Sequence, residues 1–294
     1  LTSNDKKLRN TSDGGGLTNS NTGGENHFTI ITISDTPLDT SLIWIGTDDG
    51  NVQITRNNGI NWENVRKNIE GVPNKTWVSR VEASKHKKGR AYVSFDNHRF
   101  DDNKPYVFMT DDYGKSWTNI SANLPIDYSV YVIKEDHIDE NLLFVGTEKS
   151  VYFTINKGIN WEILGDKLPS VAIHDLVIHP RDGDLIAGTH GRSIWILDDI
   201  SPLRKLDRKS NNLTPIRKVT KWIKINTGRK QPFFEFRGKN PPDGAIINFY
   251  SNKNYNGKLT VTNMSGLNIY SKSISLNKGI NRFIWPLELE RNKE

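Results

Sequence analysis

Three octets share one pattern: Thr55-Arg-Asn-Asn-Gly-Ile-Asn-Trp62, Thr110-Asp-Asp-Tyr-Gly-Lys-Ser-Trp117 and Thr154-Ile-Asn-Lys-Gly-Ile-Asn-Trp161. They start 55 and then 44 residues apart and read Thr-x-Asx-x-Gly-x-(Ser/Asn)-Trp. Each residue type has a physical use in a hairpin turn. The side chain of Asn57, Asp112 or Asn156 caps backbone N–H groups across the turn, and Gly59, Gly114 or Gly158 supplies a positive φ. Trp62, Trp117 or Trp161 tucks beneath as an apolar plug. A turn repeated in register implies a repeated supersecondary unit, which constrains the fold more than any single residue does.

The flanking segments repeat as well. Ile43-Trp-Ile-Gly-Thr-Asp-Asp-Gly50 and Leu143-Phe-Val-Gly-Thr-Glu-Lys-Ser150 precede two of the octets, and Leu185-Ile-Ala-Gly-Thr-His-Gly-Arg192 is a third copy. The intervening unit has Arg90-Ala-Tyr-Val-Ser-Phe95 there, followed by a longer loop, Asp96 to Asp102. Another apolar run precedes each copy. The runs have strand length, are bounded by Gly, Asn, Asp and Pro, and show no helical spacing. Each unit reads strand a, strand b, strand c, Asx-Gly-Trp hairpin, strand d over roughly 40 to 50 residues, the period of a β-propeller blade. Blades are expected at about 27–71, 77–124, 129–168 and 173–200, the last lacking a strand d. Three and a part blades fall below the usual ring, so the chain is expected to be the C-terminal part of a longer one. The predicted fold class is all-β.

Composition narrows the chemistry. The chain has no cysteine, which excludes disulfides, thiolate zinc sites and a cysteine nucleophile. No apolar run approaches the roughly 18 to 20 residues of a membrane span. The net charge of +6 suggests nucleic acid until it is located. Residues 1–202 carry 21 Lys and Arg against 28 Asp and Glu, whereas 203–240 carry 12 against 2. The propeller portion is therefore acidic, and no nucleic-acid partner is expected. The domain reading is blades over 1–202, a basic linker over 203–237, and a small β-sandwich over 238–294.

The octets match the Asp-box, or BNR repeat, of sialidases, sortilins and xyloglucan-active propeller hydrolases. Gly46-Thr-Asp-Asp-Gly-Asn51, Leu142-Leu-Phe-Val-Gly-Thr-Glu148 and the stretch from Gly188 to Leu203 resemble a bacterial sortilin-like, BNR-repeat glycosyl hydrolase family. The tail, Gly238 to Asn248 and Gly279 to Trp285, resembles the FlgD-type immunoglobulin-like module that follows such propellers. The resemblance implies a secreted protein, extracellular or periplasmic, and only loosely an activity, since fold does not carry function. Asn57 and Asn156 stand where the Asp-box has Asp, which fits capping and argues against a catalytic role there.

Blade connectivity decides which loops share a face. The a–b loops and c–d hairpins lie on one side; the b–c and d–a connections lie on the other, where a ligand is expected. From b–c loops that face gathers Asp48, Asp49, Asp96, His98, Arg99, Asp101, Asp102, Glu148, His190 and Arg192, with Trp77, Tyr128, Tyr131 and His174 from or near the d–a side. Glycoside hydrolysis needs one carboxyl as acid and another as base or nucleophile. The candidate catalytic residues are Asp48, Asp49, Asp101 and Asp102. Candidate ligand-binding residues are Asp96, His98, Arg99, Glu148, His190, Arg192 and Trp77. The competing reading makes Asp48-Asp49-Gly50 a simple turn. Asp96, His98, Asp101 and Asp102 offer oxygen ligands and one imidazole that calcium or manganese would tolerate, but the spacing matches no EF-hand and no zinc signature, and neither metal nor cofactor is expected. Strict alternation along Ile173 to Ile178 would put His174 and Asp175 on opposite faces. No sialidase-type tyrosine with a glutamate partner is visible.

Two functions stay open. One is a carbohydrate-active hydrolase or glycan-binding propeller acting on a polysaccharide or oligosaccharide. The other is a non-catalytic propeller that binds extracellular peptides or proteins.

Overall fold

The computed structural model describes residues 1–2, 28–165, 167–204, 206, 208–221 and 243–288. The chain divides into two compact units, Leu1–Leu197 and Asp198–Glu294. The described residues are all-β apart from short helical turns, the longest being Ser201–Arg204.

The first unit is a succession of antiparallel sheets with strands in chain order. Blade one holds β1 (Ile30–Thr36), β2 (Asp39–Thr47), β3 (Val52–Thr55) and β4 (Glu63–Asn64). Blade two holds β5 (Trp77–Ala83), β6 (Ala91–Asn97), β7 (Asp102–Thr110) and β8 (Thr118–Asn119). Blade three holds β9 (Val130–Glu135), β10 (Leu143–Thr147), β11 (Val151–Thr154) and β12 (Glu162–Ile163). Blade four stops at three strands, β13 (Ile173–Ile178), β14 (Leu185–Thr189) and β15 (Ile194–Leu197). This is the partial propeller that the repeats imply.

The octets close the β3–β4, β7–β8 and β11–β12 hairpins. In the first, the Gly59 N–H donates to Thr55 Oγ1 at 2.9 Å and the Asn61 N–H to Asn57 Oδ1 at 2.9 Å. Asp112 and Asn156 accept from Ser116 and Asn160 in the same way, at 2.9 and 3.0 Å. Gly59, Gly114 and Gly158 all have φ between 81° and 87°. The tryptophans also join blades. Trp117 meets Trp44 of the preceding blade edge to face at 6.0 Å, and Trp161 donates to the Ile120 carbonyl at 2.7 Å.

Blades pack face to face over one apolar cluster that runs from Trp44, Val52 and Ile54 into Val78, Val81, Val93 and Phe95, and a second built from Tyr92, Val130, Ile133, Val145 and Trp161. The contact is close where strand b carries glycine. A Cβ on Gly46 would lie 2.3 Å from Val78 Cγ1, and one on Gly146 would lie 2.7 Å from the Ile173 carbonyl.

Every first strand breaks register at one shared place, between Ile30 and Thr32, Val78 and Arg80, Val130 and Val132, and Ile173 and Asp175, and β1 breaks it again between Asp35 and Thr36. Each shared break is a β-bulge that leaves one residue, Ile31, Ser79, Tyr131 or His174, outside the ladder and re-aims its side chain. The bulge overturns the strict alternation expected along Ile173–Ile178: His174 and Asp175 are both exposed, and Ile173 and Leu176 are both buried.

In the second unit β16 (Asn212–Leu213), β17 (Ala245–Ser251) and β20 (Gly279–Trp285) form one sheet. A hairpin of β18 (Tyr255–Thr262) and β19 (Asn268–Leu276) forms another. Asn212 and Leu213, inside the stretch read as linker, thus pair with β17. Residues 205, 207 and 222–237 of that stretch, and 238–242 of the tail motif, lie outside the described residues. Among the described residues no helix is long and apolar enough to cross a membrane.

Candidate functional site

Because strands alternate in direction, the β2–β3, β6–β7, β10–β11 and β14–β15 loops emerge at the same end as the beginnings of β5, β9 and β13. The expected site residues fall at this end, and the structure sorts them.

Asp48 and Asp49 are buried in their own turn. Asp48 Oδ1 accepts the N–H groups of Phe28 and Thr29 at 2.7 and 2.8 Å. Asp49 accepts from the Thr47 hydroxyl and, at 3.0 Å, from the Asn51 amide. Asp48 thus caps backbone, and Asp49 ties together side chains of the same turn. Asp101 is exposed, caps a short 3-10 helix with φ 58°, and gives its N–H to the His98 carbonyl at 3.0 Å. Asp102 accepts from the Tyr106 hydroxyl at 2.7 Å and the Asn97 amide at 3.0 Å. Burial alone would raise its carboxyl, but these hydrogen bonds hold it below the usual range. Asp102 is therefore an acceptor at working pH, not the protonated acid that glycoside cleavage needs. A raised carboxyl does occur at Glu82, through burial, but it lies at the far end of β5 with the Lys134 ammonium 2.9 Å away.

The other residues converge on a row of planar rings from three blades. Tyr131 and His174, both at bulge positions, stack with centroids 4.6 Å apart and planes 18° from parallel. His190 lies 5.3 Å beyond His174, and His98 meets Tyr131 edge to face at 6.1 Å. Carboxylates orient the row: Glu148 accepts from the Tyr131 hydroxyl, and Asp96 takes His98 Nδ1 at 2.6 Å. A carboxylate can only accept, so the proton sits on Nδ1 and Nε2 faces away from Asp96. Arg80 reaches from β5 to Asp175 on β13 at 2.6 Å, tying blades two and four below the row. At its margin Arg99 lies over the Trp77 ring, 3.7 Å from the centroid. Arg192 sits in the β14–β15 turn, its N–H on Thr189 Oγ1 at 3.2 Å and its side chain exposed.

The titrations follow from this geometry. Burial, then the Glu148 hydrogen bond and the charges of Asp96 and Glu148, push the Tyr131 phenol well above its ordinary value. The tyrosine–glutamate pair not visible in the sequence is thus present, but its phenol is driven away from ionisation, the wrong direction for a nucleophile. Burial, and then the neighbouring His190, lower His174, so its imidazole is neutral near neutral pH. Among the described residues no group of three His, Cys, Asp or Glu side chains is placed to hold a metal ion.

Tyr131 and His174 are central to the row, yet the sequence marked them only as lying near the face. The signal that would have singled them out is the β-bulge, visible as apolar residues three apart, Val130 and Ile133 or Ile173 and Leu176, where a regular strand has them two apart.

No protein-family model matches this sequence, and no curated protein matches it. Among solved structures it is similar to a GH74 enzyme of Niastella koreensis at 14% identity and a TM-score of 0.43, over 56% of this chain and 22% of that one. An ancestral GH74 enzyme is similar at 12% identity and 0.48, over 84% and 33%. YCF48 bound to a D1 peptide is similar at 17% identity and 0.43, over 76% and 65%. The chain therefore spans less than two thirds of the length of each of these structures.

Proposed function

We propose that the loop end of these blades is a glycan-binding surface, and that it binds without cleaving. The observation that carries this is the ring row, Tyr131 stacked on an exposed, neutral His174, with Glu148 and Asp96 alongside. A flat ring face is what the apolar face of a sugar stacks on, and carboxylates beside it accept hydroxyl hydrogen bonds. A neutral imidazole both donates and accepts, which suits hydroxyl groups better than a fixed charge does. Against hydrolysis, Asp48 is bound up in backbone capping, Asp49 is buried against the Thr47 hydroxyl and the Asn51 amide, and Asp102 is held ionised.

Calorimetric titration of oligosaccharides against the chain tests the reading. Stacking on one aromatic face contributes about 0.5–1.5 kcal/mol, so His174→Ala and Tyr131→Ala should each weaken binding roughly two- to tenfold. Asp48→Asn should leave the affinity of the folded protein unchanged. Saccharide binding indifferent to both ring substitutions sinks the site. Glycan release that is lost in Asp101→Asn or Asp102→Asn would restore the hydrolase reading. Binding of peptides but of no saccharide would favour the peptide-binding reading.

A further inference from the structure

One repeat position, present in all four blades, supplies the side chains that flank the ring row. Ladder register aligns Thr47, Phe95, Thr147 and Thr189 near the end of strand b, so the residues that follow, Asp48, Asp96, Glu148 and His190, are equivalents. In blades one, three and four its N–H donates to the residue just ahead of strand a, Thr29, Ser129 or Ala172, at 2.9 to 3.1 Å. The backbone is shared, and the side chains part. Asp48 turns back onto the N–H groups of Phe28 and Thr29. Asp96 takes the N–H and Nδ1 of His98, Glu148 takes the Tyr131 hydroxyl, and His190 lies 5.3 Å from His174. Three of the four copies thus serve the row, and the hydrogen bonds that orient it close within blades two and three.

The row is therefore polar along its length. Asp96 and Glu148 put two carboxylates at the Tyr131 end, and both charges bear on the Tyr131 phenol. His190 puts an imidazole at the other end, and Arg192 follows it in the same turn. Other cations near this end of the blades are directed away: Arg80 to Asp175 at 2.6 Å, Arg99 onto Trp77, and Lys149 over the Tyr128 ring at 4.5 Å. Each carboxylate offers about four lone-pair sites, and the bonds from His98 and Tyr131 fill only part of them. A ligand that stacks on these rings displaces water from the carboxylates beside them. Desolvating a carboxylate is costly unless positive charge takes the place of the water. Hydroxyl groups fill the lone pairs and leave both charges standing. An ammonium fills them and offsets the charge, through hydrogen bonds roughly twice as strong as neutral ones.

We propose that the sugar taken here is an amino sugar, its protonated amine on Glu148 in the field of Asp96 and its ring against the Tyr131–His174 row. This names the ligand class of the glycan surface and rests on that reading.

Calorimetric titration of the unaltered chain with two oligomers of equal length tests it. One is β-linked glucosamine; the other is the same oligomer with its amines acetylated. At about pH 7 a primary amine of the α-amino type is largely charged. The free-amine oligomer should bind about tenfold tighter, the effect of one charge-assisted hydrogen bond, and the ratio should fall as salt rises. Glu148→Gln and Asp96→Asn should each cut the ratio to about twofold or less, and the amide oxygen still accepts the Tyr131 or His98 proton, so the rings stay placed. Asp48→Asn, the same repeat position in blade one, should keep the full ratio. Equal affinities for the two oligomers overturn the amino-sugar proposal and leave the glycan surface standing. A ratio that Asp48→Asn lowers as far as Glu148→Gln does reflects the overall acidity of the blades, and also overturns it. No binding of the free-amine oligomer overturns it too, and the glycan reading falls with it only where neutral oligosaccharides fail as well. Binding of a lysine-rich peptide with no saccharide bound overturns both in favour of the peptide reading.

Discussion

Gly146→Ala separates a close blade contact from a loose one. The added Cβ would lie 2.6 Å from Val132 Cγ1, 2.7 Å from the Ile173 carbonyl oxygen and 2.8 Å from Ile173 Cγ2. A side chain could rotate away, but the carbonyl belongs to the first strand of the next blade, so that strand must retreat. Overpacking of this kind costs about 1–3 kcal/mol. Replacing glycine in a strand returns roughly 0.5–1 kcal/mol through the unfolded chain. The net loss is at most about 2.5 kcal/mol and centres on about 1–2, or roughly 2–8 °C in Tm for a unit of this size. Gly188→Ala is the matched control. It has the same place in the repeat but no neighbour nearer than 3.6 Å, so the chain should keep its Tm or gain about 2 °C. Thermal unfolding followed by tryptophan fluorescence reads both, through Trp44, Trp117 and Trp161 at the blade contacts. If Gly146→Ala melts with the unaltered protein, or if both variants shift alike, the blades do not meet through this glycine.

Other expectations follow from single contacts. Asn123 brackets Trp161, accepting its N–H at 2.7 Å and donating to its carbonyl at 2.9 Å; Asn123→Ala should cost about 1–3 kcal/mol in urea denaturation. Asn57→Asp should leave stability within about 0.5 kcal/mol, because either side chain offers the accepting oxygen, whereas Asn57→Ala should cost about 1 kcal/mol. Hydrogen bonds from Lys157 and Arg90 hold Glu140 down to about 2. A folded value below the unfolded one adds stability that is full above the unfolded pKa and lost as pH falls towards about 2. Glu140→Gln should therefore flatten the acid limb of a stability–pH curve, and an unchanged limb would refute the assignment. His174 should titrate below free histidine by NMR, and His190→Gln should move it upwards, since the neighbouring imidazole is its second cause after burial.

Much of the fold could be read from residue type because the repeat made each turn speak three times. Thr-x-Asx-x-Gly-x-(Ser/Asn)-Trp encodes a local hairpin whose hydrogen bonds close within a few residues, and the missing fourth strand after Leu197 showed as an absent octet. The candidate site was less legible. Asp48 and Asp49 look like a carboxylate pair in sequence but part company in space: Asp48 caps Phe28 and Thr29, 20 and 19 residues away, while Asp49 holds the side chains of Thr47 and Asn51 within its own turn. Tyr131 and His174, 43 positions apart by their numbers, become neighbours only when two blades bring their bulges together.

The sequence by itself determined the blade: a period, a turn chemistry and strands of the right length, all set by interactions within one repeat. Tertiary structure decided which side chains face which, because that depends on the bulge in each first strand and on the close packing between blades. Local composition encodes neither directly. The ring row, the Arg80–Asp175 tie and the close seating of Gly146 on Ile173 all lie between repeats, where burial, not propensity, selects the arrangement.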